Sequence, residues 1–320
     1  MQSLSFLCDN RCMLEEPIFI DTHIHGAFGE DISDASAEGI VRMARRLPEF
    51  GVKAFCPTTM TISEDNIMRC FEAVSAACEQ LDREGGEYAR ILGIHLEGPF
   101  MSPDMAGVQN KEYCIAPKFA GKIVDRIEQN FPGLLRIIDI APELDGAMDF
   151  IGEYKDRYVI SLAHTRADYD TACEAFEKGA KSVTHILNAM NPCGKRNPGV
   201  LGAVFDNKDV FAEIICDGIH IAPPVLRMLF TMLPEDRIIV VSDSMRGAGM
   251  PDGEYKLADA VVTVKGGRTY YGPGGNLAGS VTNMGQEASR LLSFGIDPEK
   301  IRLACVENPL SRLGINDKIN

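Results

Sequence analysis

The sequence predicts an α/β protein: a (β/α)8 barrel of the TIM type carrying a β-hairpin insert after its eighth strand. Three observations lead there. Eight short apolar runs recur along the chain, continuous rather than alternating, as strands covered on both faces should be. Amphipathic helical patterns lie between most of them, and strand followed by helix, repeated, is the signature of such a barrel. All six histidines also lie within or just after these runs. A doubly wound sheet is the competing architecture, and it calls for a glycine-rich turn after its first strand. Here that turn reads His23-Ile24-His25-Gly26.

The predicted strands cover residues 18–23, 52–57, 91–96, 135–141, 158–163, 182–187, 211–216 and 237–242. The first helix is expected over 35–50, with Ile40, Met43, Ala44 and Leu47 on one stripe. The second, over 63–83, has Ser63 as its N-cap and Ile67, Cys70, Phe71, Val74 and Cys78 at helical spacing. Helices over 118–130, 145–156, 168–178 and 224–233 follow, each ending near Gly, Pro, Asn or a polar turn. Between 251 and 279 the alternation breaks. Asp252-Gly253 and Gly266-Gly267 punctuate runs at 255–264 and 269–271, which predicts a hairpin. Helices over 281–294 and 298–306 close the pattern. We read residues 1–320 as one domain, with 1–17 as an N-terminal extension and 251–279 as the insert.

At 320 residues, 45% hydrophobic and 24% charged, the chain has the makings of a sizeable core. A net charge of −14 argues against nucleic acid as a partner. No stretch approaches the length of a membrane span, and the first residues lack the basic and apolar regions of a signal peptide. Ten scattered cysteines contain no Cys-x-x-Cys pair, so free thiols in a reducing, cytoplasmic compartment are expected.

The chemistry centres on the histidines. His23 and His25 are two residues apart at the end of a strand and so share a face. Taken alone, such a pair is more often a satisfied polar group beside an exposed one. The company it keeps changes the reading. His95 and Glu97 end the third run, His164 follows the fifth, His185 falls in the sixth, His220 follows the seventh and Asp243 ends the eighth. In a barrel those ends share one face, where such enzymes carry out their chemistry. Imidazole with carboxylate and no thiolate suits one or two divalent ions, Zn2+ or Fe2+. His23, His25 and Asp243 can hold one ion and His164 with His185 another, with Glu97 between them. A divalent ion there would lower the pKa of a coordinated water to about 7. Asp243 would then accept a proton and return it to a leaving amine.

Several motifs resemble the amidohydrolase superfamily and, within it, the branch of N-acetylglucosamine-6-phosphate deacetylases. They are Asp21-Thr22-His23-Ile24-His25-Gly26, His95-Leu96-Glu97-Gly98-Pro99-Phe100, Ala163-His164-Thr165, His185-Ile186-Leu187-Asn188-Ala189-Met190, Cys216-Asp217-Gly218-Ile219-His220, Ser242-Asp243-Ser244-Met245 and Asn276-Leu277-Ala278-Gly279-Ser280. They run in order over residues 18–310. Other branches place a carboxylated lysine on the fourth strand, whereas here Glu97 takes that place. The resemblance implies hydrolysis of the acetamido group of an N-acetyl amino sugar 6-phosphate. It makes Glu97, His164 and His185 the shared metal ligands, and His23 and His25 those of a second ion. Asp243 becomes the acid/base. Asn188 and Ala189 would contact the sugar, and Leu277, Ala278 and Gly279 would line the pocket. Arg196 and His220 would bind phosphate, with the neighbouring subunit of a homodimer as a source of such contacts. The planar guanidinium fork suits that task.

Two departures stand out. A histidine that polarises the scissile carbonyl is usual a dozen residues after Glu-Gly-Pro, and here Gln109 stands there, able to donate only a neutral hydrogen bond. A weaker contact to the carbonyl would slow the reaction, one such donor being worth about 3 kcal/mol, and a second ion would supply the polarisation instead. The strands that would pair into an accessory β-sandwich are also scarce, so little or none is expected. The competing functions are deacetylation of the galactosamine epimer, hydrolysis of a cyclic or N-acyl amide, and a non-catalytic sugar-phosphate sensor.

Overall fold

The computed structural model describes residues 18–316. The extension at 1–17, with Cys8 and Cys12, lies outside them. Eight parallel strand positions follow one another in sequence order. They are β1 (Phe19–Ile24), β2 (Val52–Pro57), β3 in two pieces (Arg90–Ile91 and Ile94–Leu96), β4 (Leu135–Ile140), β5 (Val159–Leu162), β6 (Ser182–Val183), β7 (Phe211–Ile215) and β8 (Ile238–Val241). One ladder joins β1, β2 and the first piece of β3; a second joins the other piece to β4 through β8. Gly93, at φ +123°, divides the third strand. Across that seam Thr59 N donates to His95 O at 3.0 Å, and at the far edge Asp243 N donates to His23 O at 3.0 Å. The result is a curled parallel sheet of the TIM type whose last strand lies beside its first.

The helices are α1 (Ala37–Arg46), α2 (Glu64–Glu84), α3 (Ala120–Asn130), α4 (Ala147–Tyr154), α5 (Tyr169–Lys178), α6 (Gly199–Asp206) and α7 (Pro223–Met232). Ser36, Ser63 and Asp168 cap α1, α2 and α5 through their side chains, satisfying backbone donors that a helix start leaves free. Their inner stripes pack on the sheet: α2 buries Ile67, Cys70, Phe71, Val74 and Leu81. Helix α6 is absent from the periodicity because Gly199-Val200-Leu201-Gly202-Ala203-Val204-Phe205 carries two glycines, no capping side chain and no polar face. The chain ends in α8 (Met284–Ser293), α9 (Pro298–Arg302), a π turn at Leu303–Glu307 and α10 (Asn308–Arg312).

Several boundaries differ from expectation. The sixth strand stops at Val183 rather than 187, because His185 and Leu187 adopt φ of +30° and +74°. The insert has three antiparallel strands, β9 (Gly253–Leu257), β10 (Ala260–Lys265) and β11 (Arg268–Tyr270), not two. A two-residue turn at Ala258-Asp259, with Ala258 at φ +47°, splits the first predicted run. Among the described residues the remaining antiparallel ladder is the short one between Gly26–Ala27 and Glu30–Asp31. His95 lies inside the third strand, not at its tip.

Among the described residues no helix is long and apolar enough to cross a membrane. One buried group on α8 has consequences for stability. Glu287 is fully buried and neither carboxyl oxygen has a hydrogen-bond partner. Burial, then the nearby Asp217, pushes its pKa well above the usual value of 4.5. The folded state therefore holds a proton that the unfolded chain releases above about pH 4.5, so stability falls as pH rises from there toward the raised pKa. The slope is about 1.4 kcal/mol per pH unit. Glu287→Gln is expected to remove this slope and raise the melting temperature at pH 8 relative to wild type. Parallel melting curves of the two proteins between pH 5 and 8 would refute it.

Candidate metal centre

The ends of the parallel strands surround a cavity of about 400 Å3. Its wall includes His25, Glu97, Gln109, His164, His185, Asn188, Ala189, His220, Asp243, Leu277, Ala278 and Gly279. His23 lies beneath it, fully buried. Arg196 is exposed and does not line the cavity of its own chain.

Glu97 sits at the centre. Its Oε1 is 3.0 Å from His164 Nε2, 3.1 Å from His185 Nε2 and 3.6 Å from His23 Nε2. Its Oε2 is 3.2 Å from His25 Nε2. Asp243 Oδ1 faces the same pair from the other side, 3.2 Å from His25 and 3.5 Å from His23. Two adjacent groups of donors result: Glu97, His164 and His185, and His23, His25 and Asp243. The turn that aims Glu97 needs glycine. Gly98 has φ +83°, and a Cβ there would meet Thr61 Oγ1 at 2.1 Å. His164, His185 and Asp243 stand on left-handed backbone, at φ of +44°, +30° and +46°, just beyond their strands.

The donor chemistry fits divalent ions. Three rings have an acceptor behind Nδ1: Glu213 Oε2 at 3.3 Å for His23, Thr58 O at 3.2 Å for His25 and Met105 O at 2.8 Å for His164. Such an acceptor keeps the proton on Nδ1 and turns the Nε2 lone pair toward the cavity. His23 Nε2 and His25 Nε2 then face one another at 3.3 Å, an arrangement a cation relieves. Electrostatics agrees. Burial disfavours charge on His25 and His185, yet Asp243 and Glu97 hold His25 well above the imidazole range, and Glu97 lifts His185 to about 9. Burial likewise raises Glu97 and Asp243, but the imidazoles around them, His23 first, outweigh it and keep both below the carboxylate range. The site favours positive charge.

Gln109 is fixed on both sides: its amide NH2 donates to Glu97 Oε2 at 2.6 Å, and its carbonyl accepts from Thr61 N at 2.6 Å. One N–H thus holds Glu97, and the amide carries a second N–H donor beside the cavity. His220 is held through Nδ1 by Asp217 Oδ2 at 2.8 Å, which leaves Nε2 free. Thr269 Oγ1 donates to Gly279 O at 2.6 Å and ties the 277–279 loop to the insert. Sequence reasoning missed Glu213, the support behind His23. A lone carboxylate inside the apolar run Phe211-Ala212-Glu213-Ile214-Ile215 was the available signal, since a buried charge requires a partner.

This fold and site define a class: the chain belongs to the amidohydrolase family, which matches residues 16–319. Within the family it is similar to N-acetylglucosamine-6-phosphate deacetylase of Bacillus subtilis (strain 168), at 38% identity over 94% of this chain and 76% of that protein. It is also similar to N-acetylgalactosamine-6-phosphate deacetylase of Escherichia coli O157:H7, at 31% identity over 94% of this chain and 78% of that protein. Among solved structures, a mutant N-acetyl-D-glucosamine-6-phosphate deacetylase from Mycobacterium smegmatis, in complex with N-acetyl-D-glucosamine-6-phosphate, superposes with a TM-score of 0.83 at 30% identity, covering 93% of this chain and 77% of that one.

Proposed function

We propose that this amide hydrolase deacetylates N-acetylglucosamine 6-phosphate, giving glucosamine 6-phosphate and acetate. The observation that carries the reading is the convergence of Glu97, His25, His164, His185 and Asp243 on one cavity. We assign Glu97, His164 and His185 to one ion and His23, His25 and Asp243 to a second. The mixed nitrogen and oxygen donors suit Zn2+ or Fe2+, and such an ion would polarise the amide carbonyl and activate water. Asp243 takes the proton of the attacking water and passes it to the departing amine as the C–N bond breaks. Gln109 holds Glu97 in place. Asn188 and Ala189 position the sugar, while Leu277, Ala278 and Gly279 wall the cavity. His220 offers Nε2 to the phosphate. Arg196, exposed and away from its own cavity, serves the neighbouring subunit of a homodimer. The free thiols of the described residues suit the cytoplasm.

Acetate release before and after metal removal tests this. Stripping with a chelator is expected to abolish turnover, and Zn2+ to restore it. Arg196→Ala should raise KM for the phosphorylated sugar about ten-fold or more, the worth of a charged hydrogen bond. Full turnover in stripped protein, or equal activity on unphosphorylated N-acetylglucosamine, would overturn the reading. The similarity to the E. coli enzyme named for N-acetylgalactosamine 6-phosphate favours one alternative, the galactosamine epimer. Faster turnover of that epimer would establish it.

A further inference from the structure

We infer that Arg312, on the C-terminal helix α10, is a positioning residue for the metal ligand His23 and acts on it through Glu213. Arg312 does not line the cavity. Its side chain is fully buried beneath the site, as is that of Glu213. One guanidinium nitrogen donates to Glu213 Oε1 at 2.5 Å and to Ser182 Oγ at 3.1 Å, and the other donates to Thr22 Oγ1 at 2.6 Å. Glu213 divides its carboxylate. Oε1 accepts from Arg312, and Oε2 lies 3.3 Å from His23 Nδ1. The same arginine thus grips the residue preceding His23 and the carboxylate behind its ring.

The consequence for His23 is geometric. A ring that donates from Nδ1 to a fixed carboxylate has both its tautomer and its plane set, and its Nε2 lone pair is delivered to the cavity. The planar guanidinium holds Glu213 through one nitrogen and Thr22 through the other, so one rigid group ties the carboxylate to the strand that carries His23. Helix α10 is itself anchored, because Asn308 Nδ2 donates to Glu235 O and Ile238 O, each at 2.7 Å. His164, by contrast, is backed by Met105 O, and His185 Nδ1 has no partner. Arg312 therefore supports one group of donors and not the other.

The inference rests on the reading that His23 and His25 hold an ion, and the experiment separates the two. Wild type, Arg312→Met, Arg312→Lys and His23→Gln are stripped, then titrated with Zn2+ against a competing chelator. His23→Gln is expected to lose one class of Zn2+ site; if it loses none, the two-ion reading fails and takes the inference with it. Arg312→Met should weaken that same class about 10–100-fold, the usual effect of losing a residue that orients a ligand, and leave the other class within about two-fold. Arg312→Lys should fall between wild type and the methionine variant. It retains a buried cation, so it carries the test if the methionine variant does not fold. Unchanged affinity for the class lost in His23→Gln, or equal weakening of both classes, would overturn the role of Arg312.

Discussion

Asp243→Asn is expected to lower kcat by about 1,000-fold, with KM within a few-fold of wild type and metal content retained. Asp243 Oδ1 stands 3.2 Å from His25 Nε2 and faces the cavity beside Glu97. The neighbouring imidazoles of His23 and His25 outweigh its burial and hold it below the carboxylate range, so it stands ionised and able to accept a proton. Asparagine has the same shape and presents an oxygen to the same imidazoles, yet it carries no proton. A positioned acid/base contributes about 100- to 10,000-fold, and the expected loss lies inside that range. Steady-state acetate release, with elemental analysis of the same preparation, checks it. A variant within ten-fold of wild type would remove Asp243 from proton transfer. Parallel loss of metal and activity would make it a ligand alone.

Glu97→Ala should be more severe, with metal lost and turnover undetectable. Both carboxylate oxygens are engaged, one facing His164 and His185, the other His25 and Gln109. Its removal takes a donor from one group and the carboxylate oxygen that faces His25 of the other. It also leaves the buried Gln109 amide without its acceptor, at about 1–3 kcal/mol, so the melting temperature falls too. Gln109→Leu should cost far less metal, because the imidazole contacts of Glu97 survive. Elemental analysis and calorimetry of the two variants decide the matter, and wild-type metal content in Glu97→Ala would contradict it.

The curled parallel sheet was legible in the sequence for a simple reason. Strands buried on both faces must be apolar throughout, so runs such as Ile238-Ile239-Val240-Val241 announce themselves. The donors were legible because chemistry in this architecture gathers past the strand ends, and His164, His185 and Asp243 lie there. What the sequence did not show depended on contacts remote along the chain. The partner of Gln109 is decided by Thr61, 48 residues away, and by the turn at Gly98. The role of Arg312 is decided by a carboxylate 99 residues distant. Helix α6 lacks the stripe that periodicity detects. The strand end near His185 depends on a reversed φ, which no apolar pattern encodes.

That reversed backbone at His164, His185 and Asp243 sets a limit on how durable the molecule can become. Non-glycine residues in this conformation each cost about 1–3 kcal/mol, and glycine would recover that energy only by deleting two imidazoles and a carboxylate from the cavity wall. The rim of the cavity is therefore a standing debit against heat resistance. Attempts to harden this catalyst belong on the outer helices and the insert, far from the three positions that keep it under tension.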